Sequence, residues 1–416
     1  GKMTDFKRLR GMHDILPDEI WKWKKVESVF IEICELFGFR EIRTPVLESK
    51  FLFERGIGRN TDIVMKEMYE FKDKKGREIA LRPEGTASVV RAYVENQIYN
   101  KEKITKIYYL GPMFRYDRPQ KGRYRQFYQF GAEIFGGKGP FFDGETVEIL
   151  DIAFKKLKIG NFTFLINSLG CKECKGIYVE ELKKYLNKNL NNLCKECQIR
   201  TERNPLRVLD CKNSFCRLIF ENIPSILDFL CNECKFHFHS FIDFLSILKI
   251  NFKIDSKLVR GLDYYTRTVF EVISEENIAI AGGGRYDYLV KEIGGPDIPA
   301  VGFAVGIDRV VPLIKQEFKD ETSVYLIFLG ERARNKGVEI MKKFIENKIK
   351  VEADYEERSL SEYLRIANKT GKKWCIILGD NEVDKGIVLL KNMENGIQEE
   401  IKQENIIEKI KEKIKC

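Results

Sequence analysis

Histidine and long apolar runs are what this chain has least of. Only three histidines occur in 416 residues. His13 lies in the tight turn of RGMHDILP, and His237 and His239 lie in a cysteine-rich stretch; packing roles suit all three better than general-base chemistry. No stretch approaches the ~18 consecutive apolar residues of a membrane span, which argues against a helical membrane protein. The N-terminal segment, with Asp5, Lys7, Arg8 and Arg10, has no signal-peptide core, so the protein is expected to stay where it is made, in the cytoplasm. Without such a signal, eleven cysteines point to a reducing compartment, where they serve as free thiols or metal ligands rather than disulfides.

What is present is a chain with 44% hydrophobic residues, long enough for two or three domains with real cores. The net charge of +9 is compatible with a nucleic-acid partner, although lysine richness also follows from genome composition. The most informative segment is Gly111 to Gly136, GPMFRYDRPQKGRYRQFYQFGAEIFG. Arg115 leads from a strand into a loop carrying Arg118, Lys121, Arg123 and Arg125, and the loop becomes a second strand. Period-2 alternation there predicts Tyr128, Phe130, Ala132 and Ile134 on a core face. Phe127, Gln129, Gly131 and Glu133 then form the floor of a binding site. A floor with an aromatic ring, an amide and a carboxylate, beside clustered guanidinium groups, suits a small, partly cationic ligand next to a polyphosphate.

Upstream, Pro17 and Asp18 open a helix with Val26, Phe30, Ile33 and Phe37 at helical spacing, ending at Gly38. A strand is predicted from Glu41 to Glu48, with Pro45 marking an edge or a bulge. LRPEGTA, Leu81 to Ala87, is a strand-to-helix turn that either aims Glu84 and Thr86 into a pocket or simply starts a helix, with Thr86 near its cap. From Cys171 to about Lys257 the cysteines cluster among lysine-rich helical stretches, as in a domain inserted into another. Cys171-x-x-Cys174, Cys194-x-x-Cys197 and Cys231-x-x-Cys234, with Cys211 and Cys216 between, have spacing suited to tetrahedral zinc, two pairs per ion, without showing which pairs meet. Cys34, Cys375 and Cys416 look isolated. LVRGLDYYTRTVFE, AGGGRYDYLV and GFAVGIDR follow the insert, the last a strand running into a helix whose first turn carries Arg309. Beyond Ser323 the elements alternate: strands to Gly330, Val351–Tyr355, Trp374–Gly379 and Gly386–Lys391, with helices Ala333–Asn347 and from Ser359. That alternation predicts a small α/β domain.

FRYDRPQKGRYRQF, LVRGLDYYTRTVFE and AGGGRYDYLV together resemble the class II aminoacyl-tRNA synthetases, and the histidyl-tRNA synthetases in particular. The resemblance spans nearly the whole chain. It implies an α+β fold: a six- or seven-stranded antiparallel catalytic sheet flanked by helices, a helical inserted domain, and a C-terminal α/β anticodon-binding domain. The domain boundaries it suggests are a catalytic domain at 1–168 and 258–321, the insert at 169–257, and the anticodon domain at 325–416. REIRTPVLE corresponds to the dimer-forming motif, so a homodimer is expected. The implied partners are L-histidine, ATP with Mg2+, and tRNA(His).

Residue by residue, the resemblance puts Glu84 and Thr86 on the α-ammonium group, with Gln129, Glu133, Tyr264 and Tyr265 completing the histidine site. Glu133 and Tyr265 would meet the two imidazole nitrogens. Arg115 and Arg260 would act on the α-phosphate as the catalytic pair, Arg123 and Arg309 would hold the terminal phosphates, and Phe127 would stack on adenine. Asp308 stands where many family members have glutamate. The extra guanosine of bacterial histidine tRNA would meet Gln120 and Arg125, through either base or phosphate. Related regulatory subunits of histidine biosynthesis share the fold but typically lose the motif arginines and the last domain, both retained here. An uncharged-tRNA sensor would usually be fused to an effector, and no such sequence is present.

Overall fold

The computed structural model describes residues 6–317 and 323–414. Cys416 and Asp5 lie outside the described residues. The chain divides into two compact units, Gly1–Lys315 and Gln316–Cys416.

The first unit is built on an eight-stranded sheet. Its order is Arg40–Glu41, Thr105–Phe114, Gln126–Phe135, Ala300–Gly306, Ala279–Arg285, Thr266–Ser274, Phe162–Ser168 and Phe252–Ile254. The six inner strands are antiparallel throughout, and each edge carries one short parallel strand. Those two edge strands raise the sheet above the six or seven strands expected. One face is covered by helices Ile20–Leu36 and Pro140–Leu157. Phe130, Ala132 and Ile134 join Phe30, Phe154 and Phe303 in its core, as the alternation requires. The first helix ends where Gly38 takes φ +85, the left-handed turn that a glycine allows.

The strand predicted from Glu41 to Glu48 is divided. Arg40–Glu41 pairs with the main sheet, whereas Leu47–Ser49 pairs with Glu78–Leu81 in a separate three-stranded sheet. Pro45 explains the break, since it offers no amide hydrogen and disfavours continued pairing around it.

Within the cysteine-rich stretch, helices Lys172–Lys188, Lys195–Arg203 and Ser214–Ile219 are followed by Asn232–Ile247. This last helix sends Phe238, Phe241 and Leu245 into the core beneath the main sheet, and Phe252–Ile254 then joins that sheet.

The second unit is a five-stranded sheet in the order Val351–Ala353, Val324–Leu329, Trp374–Gly379, Ile387–Asn392 and Gln398–Lys402. Its helices include Glu331–Glu346 and Leu360–Lys369, the latter started by a reciprocal Ser359–Glu362 capping box. Helices Asp380–Lys385 and Ile406–Ile414 and the strand Gln398–Lys402 were not expected. The strand buries only Ile401, so it lacks the apolar alternation that would announce it. No helix among the described residues is long and apolar enough to cross a membrane.

Candidate active site

The open face of the main sheet carries two adjoining spaces. The smaller, about 40 Å³, is lined by Glu84, Thr86, Gln129, Glu133, Tyr264, Tyr265 and Tyr286 among others. Glu133 is its centre. Tyr286 Oη donates to Glu133 Oε2 at 2.5 Å, while Thr86 Oγ1 and Tyr109 Oη donate to Oε1 at 2.7 and 3.2 Å. Burial pushes the Glu133 carboxyl up to about 8 despite those three donors, and the nearby Glu84 adds to the rise.

Glu84 is fixed by the helix it precedes. Its two oxygens accept from the backbone N–H groups of Thr86 and Ala87, both at 2.8 Å, at the positive end of Thr86–Glu95. Tyr264 Oη donates to the same carboxylate at 3.3 Å. Burial still raises Glu84 above its usual range, against those backbone donors. Two buried carboxyls and three phenols make this pocket receptive to a ligand that is cationic and donates hydrogen bonds.

Two glycines give the carboxylate its room. A Cβ on Gly302 would lie 1.7 Å from Glu133 Oε2, and one on Gly131 would lie 2.2 Å from the Tyr109 ring. Tyr109 is the cross-strand partner of Gly131, so the glycine on one strand admits the phenol from the other.

The larger space, about 620 Å³, is basic and open. Arg115, Arg123, Arg260 and Arg309 line it, with Phe127 and Tyr124. Arg115 follows directly after the strand residue Phe114; its Nε donates to the carbonyl of Pro83 at 2.8 Å, and its guanidinium lies 5.2 Å from the Phe127 ring centre. Arg260 donates to Glu271 at 2.6 Å; burial opposes its charge, but Tyr265 and Glu271 hold its pKa above the ordinary value. Arg309 donates to the carbonyl of Ala279 at 2.7 Å. Its pKa falls to about 10, first through burial and then through repulsion by Arg123, Arg115 and Arg260. Four guanidinium groups that crowd one another to this degree form an anion site.

Arg115, Gln129, Arg260 and Ala304 alone line both spaces, so two of the arginines stand at the junction. Glu67 on the wall of the basic cleft and Glu271 beside Arg260 are oxygen donors of the kind a magnesium ion takes. Asp308 does not face the basic cleft alone: its Oδ2 accepts from Tyr128 N at 2.6 Å, and Oδ1 lies 3.8 Å from His13 Nε2. His13 stacks on Tyr124 with ring centres 4.0 Å apart.

A third space, about 960 Å³, shares Arg123, Lys212 and Arg309 with the cleft and adds Gln120, Lys121, Arg217 and Lys257. Arg125 lines none of the three. Its guanidinium stacks 3.7 Å from the Tyr116 ring centre and its backbone N–H donates to Gly11 at 2.8 Å. Tyr109, Tyr286 and Glu271 were missed from the sequence. Tyr286 stood within AGGGRYDYLV, whose glycines drew attention first, and Tyr109 was signalled only by its pairing with Gly131.

The cysteines form two groups: Cys171, Cys174, Cys231 and Cys234, and separately Cys194, Cys197, Cys211 and Cys216, with the sulfurs of each group within 4.8 Å of one another. Cys34 and Cys375 are buried free thiols.

This arrangement agrees with comparison to known proteins. A family model described as histidyl-tRNA synthetase matches residues 11–173 and 235–310. The chain belongs to the histidyl-tRNA synthetase family. A second model, described as an anticodon binding domain, matches residues 323–413. A histidine–tRNA ligase of Halothermothrix orenii is 47% identical over 415 residues, covering 98% of this chain and 99% of the relative. One from Clostridium botulinum is 46% identical, covering 94% and 95%. The apo histidyl-tRNA synthetase structure from S. aureus superposes with a TM-score of 0.82 at 33% identity, covering 98% of this chain and all of that one. A structure described as an ATP phosphoribosyltransferase regulatory subunit/histidyl-tRNA synthetase from Bacillus halodurans is 22% identical with a TM-score of 0.68, covering 91% of this chain and all of that one; it shares the fold.

Proposed function

We infer that the chain is a histidine–tRNA ligase, acting in the cytoplasm as a homodimer. The observation that carries the reading is the junction: Arg115 and Arg260 lie where the carboxyl-lined pocket meets the arginine-lined cleft. A histidine seated with its imidazole toward Glu133 and its ammonium group toward Glu84 and Thr86 would present its carboxylate there. The triphosphate would lie along Arg123 and Arg309 with adenine on Phe127. One carboxylate oxygen attacks the α-phosphorus, the bond to the β-phosphate oxygen breaks, and pyrophosphate leaves.

A carboxylate is ionised at neutral pH, so this step takes no general base. In-line positioning and stabilisation of phosphate charge suffice, and arginines supply both. Magnesium carried with the nucleotide would withdraw further charge from the phosphates. In the second step the 3′-hydroxyl of the terminal adenosine of tRNA(His) attacks the activated carbonyl and AMP leaves. Gln120, on the wall of the third, basic space, would touch the acceptor end; Arg125 would contribute from the far end of the same loop. Gln129, Tyr264 and Tyr265 complete the histidine pocket, Tyr265 facing the imidazole nitrogen that Glu133 does not hold.

Selectivity follows from pairing both imidazole nitrogens, since sites built on buried hydrogen bonds can discriminate by ~10⁴ or more. The catalytic domain would span 1–168 and 258–321 around an insert at 169–257, with the anticodon-binding domain at 325–416. The gap in the family match between residues 173 and 235 supports an insert, although helix Asn232–Ile247 packs with the catalytic core.

ATP–pyrophosphate exchange, measured with each of the twenty amino acids and without tRNA, tests this reading. Exchange with histidine alone is expected. Histidine binding without exchange would instead indicate a regulatory subunit that has kept the fold.

A further inference from the structure

The eight cysteines of the insert take no part in the ligase chemistry, yet they gather into two compact tetrads. Their grouping is nested: the outer tetrad (171, 174, 231, 234) closes around the inner one (194, 197, 211, 216). Neighbour-to-neighbour pairing along the sequence would have joined 171/174 to 194/197; the fold rejects it. Sulfurs around a tetrahedral zinc lie about 3.8 Å apart, given Zn–S bonds of about 2.3 Å. Here Cys171 and Cys174 are 3.5 Å apart, and Cys194 and Cys211 are 3.9 Å apart. These separations are well beyond the ~2.05 Å of a disulfide bond.

The surroundings are those of metal-bound sulfur. In the outer tetrad the backbone N–H of Cys171 donates to Cys234 Sγ at 3.2 Å, and that of Cys231 donates to Cys174 Sγ at 3.1 Å, a reciprocal pair. In the inner tetrad Cys194 N donates to Cys216 Sγ at 3.2 Å and Asn213 N to Cys211 Sγ at 3.4 Å. Such N–H···S bonds offset thiolate charge and orient ligands. Cys171, Cys194 and Cys231 each stand at the N-terminal cap of a helix, where the dipole favours an anion.

Each tetrad also holds part of the site. Behind the outer one, Lys175 Nζ donates to the carbonyls of Asp263 and Tyr265 at 3.3 and 3.1 Å, tethering the loop that carries the tyrosine pair. From the inner one, Cys194 and Cys211 themselves line the basic cleft that Arg115 and Arg260 also line. Arg200, on the helix that Cys194 caps, also lines the cleft and pairs with Asp62 at 2.7 Å.

We propose that the chain binds two zinc ions, one in each cysteine tetrad: the outer ion fixes the neck of the insert and the Tyr264–Tyr265 loop, and the inner ion fixes the wall of the nucleotide cleft. The zinc count is independent of the ligase reading; the assignment of the inner ion to ATP binding rests on it.

Elemental analysis of full-length protein purified without added metal is expected to give two zinc per chain. Less than a tenth of an equivalent, one equivalent, or two of iron would overturn the proposal. Replacing zinc by cobalt should produce the intense visible bands of tetrahedral thiolate coordination at a stoichiometry of two; weak octahedral bands would overturn it even if a cysteine variant failed to fold. Cys211→Ser/Cys216→Ser is expected to retain one zinc and to raise KM for ATP about tenfold in exchange, leaving KM for histidine within about twofold. Two zinc ions retained in that variant would overturn the pairing. One zinc with an unchanged KM for ATP would overturn the cleft assignment. If the protein binds two zinc ions but exchanges with no amino acid, the ligase reading fails and the metal sites stand.

Discussion

The carboxyl-lined pocket and the arginine-lined cleft share four of the described residues and little else. The pocket is closed, and its two carboxyls are held by hydroxyl and backbone donors before any ligand arrives. The cleft is open, and its arginines are anchored at their edges while repelling one another. In the proposed function the pocket would spend its order on selecting a ligand by hydrogen bonds. In the proposed function the cleft would spend its charge on a reaction that develops negative charge. What the contrast teaches is that hydrogen-bonding order and clustered positive charge can sit side by side, with Arg115 and Arg260 the only charged groups among the described residues that belong to both spaces.

Substitutions on either side should break or sharpen that separation. The largest effect is expected from Glu133→Ala, which leaves Tyr286, Thr86 and Tyr109 donating to nothing: histidine-dependent exchange should fall by ~10³ or more while circular dichroism shows a folded protein. Near-normal exchange would remove Glu133 from the site. At the junction, Arg260→Ala should lower kcat by ~10² to ~10³. Its effect on histidine affinity measured calorimetrically without ATP should be far smaller, about threefold. Equal losses in both would make Arg260 a binding residue only. On the cleft side, Arg309→Ala should raise KM for ATP about tenfold and leave KM for histidine unchanged, because Arg309 does not line the pocket.

The smallest effect is one of stability. Burial raises Glu133 to about 8 from 4.5. A raised folded-state value gives stability that is full below the unfolded value and is lost as pH climbs through the folded one, here from about 4.5 to about 8. Glu133→Gln cannot ionise, so it should gain on the natural protein across that window. In ligand-free protein the Tm difference between variant and wild type should move in the variant's favour by about 2 °C or more between pH 6 and pH 8.5. A difference that does not change with pH would mean that Glu133 is ionised throughout.

The same contrast separates what the sequence could disclose from what it could not. The alternation from Phe127 to Ile134 was readable because a strand's period of two forces core and floor onto opposite faces. Motif wording, not periodicity, led to Arg260 and Arg309, since no local pattern brings residues from distant strands to one cleft. Tyr286 and Tyr109 were missed because their role depends on meeting Glu133 across three strands, a relation of register rather than spacing. Pro45 was read as an edge or a bulge within one strand, but it marks a transfer of the chain between two sheets. The nested cysteine pairing depends on how the helices of the insert fold back, which spacing does not encode.

The most direct test is a crystal structure with the stable sulfamoyl analogue of histidyl-adenylate, in which a sulfonyl group replaces the phosphate. The sulfonyl oxygens should lie between Arg115 and Arg260, the imidazole against Glu133 and the adenine on Phe127. An analogue bound with its sulfonyl away from both arginines, or with its imidazole in the basic cleft, would contradict the division of the site into a carboxyl-lined pocket and an arginine-lined cleft.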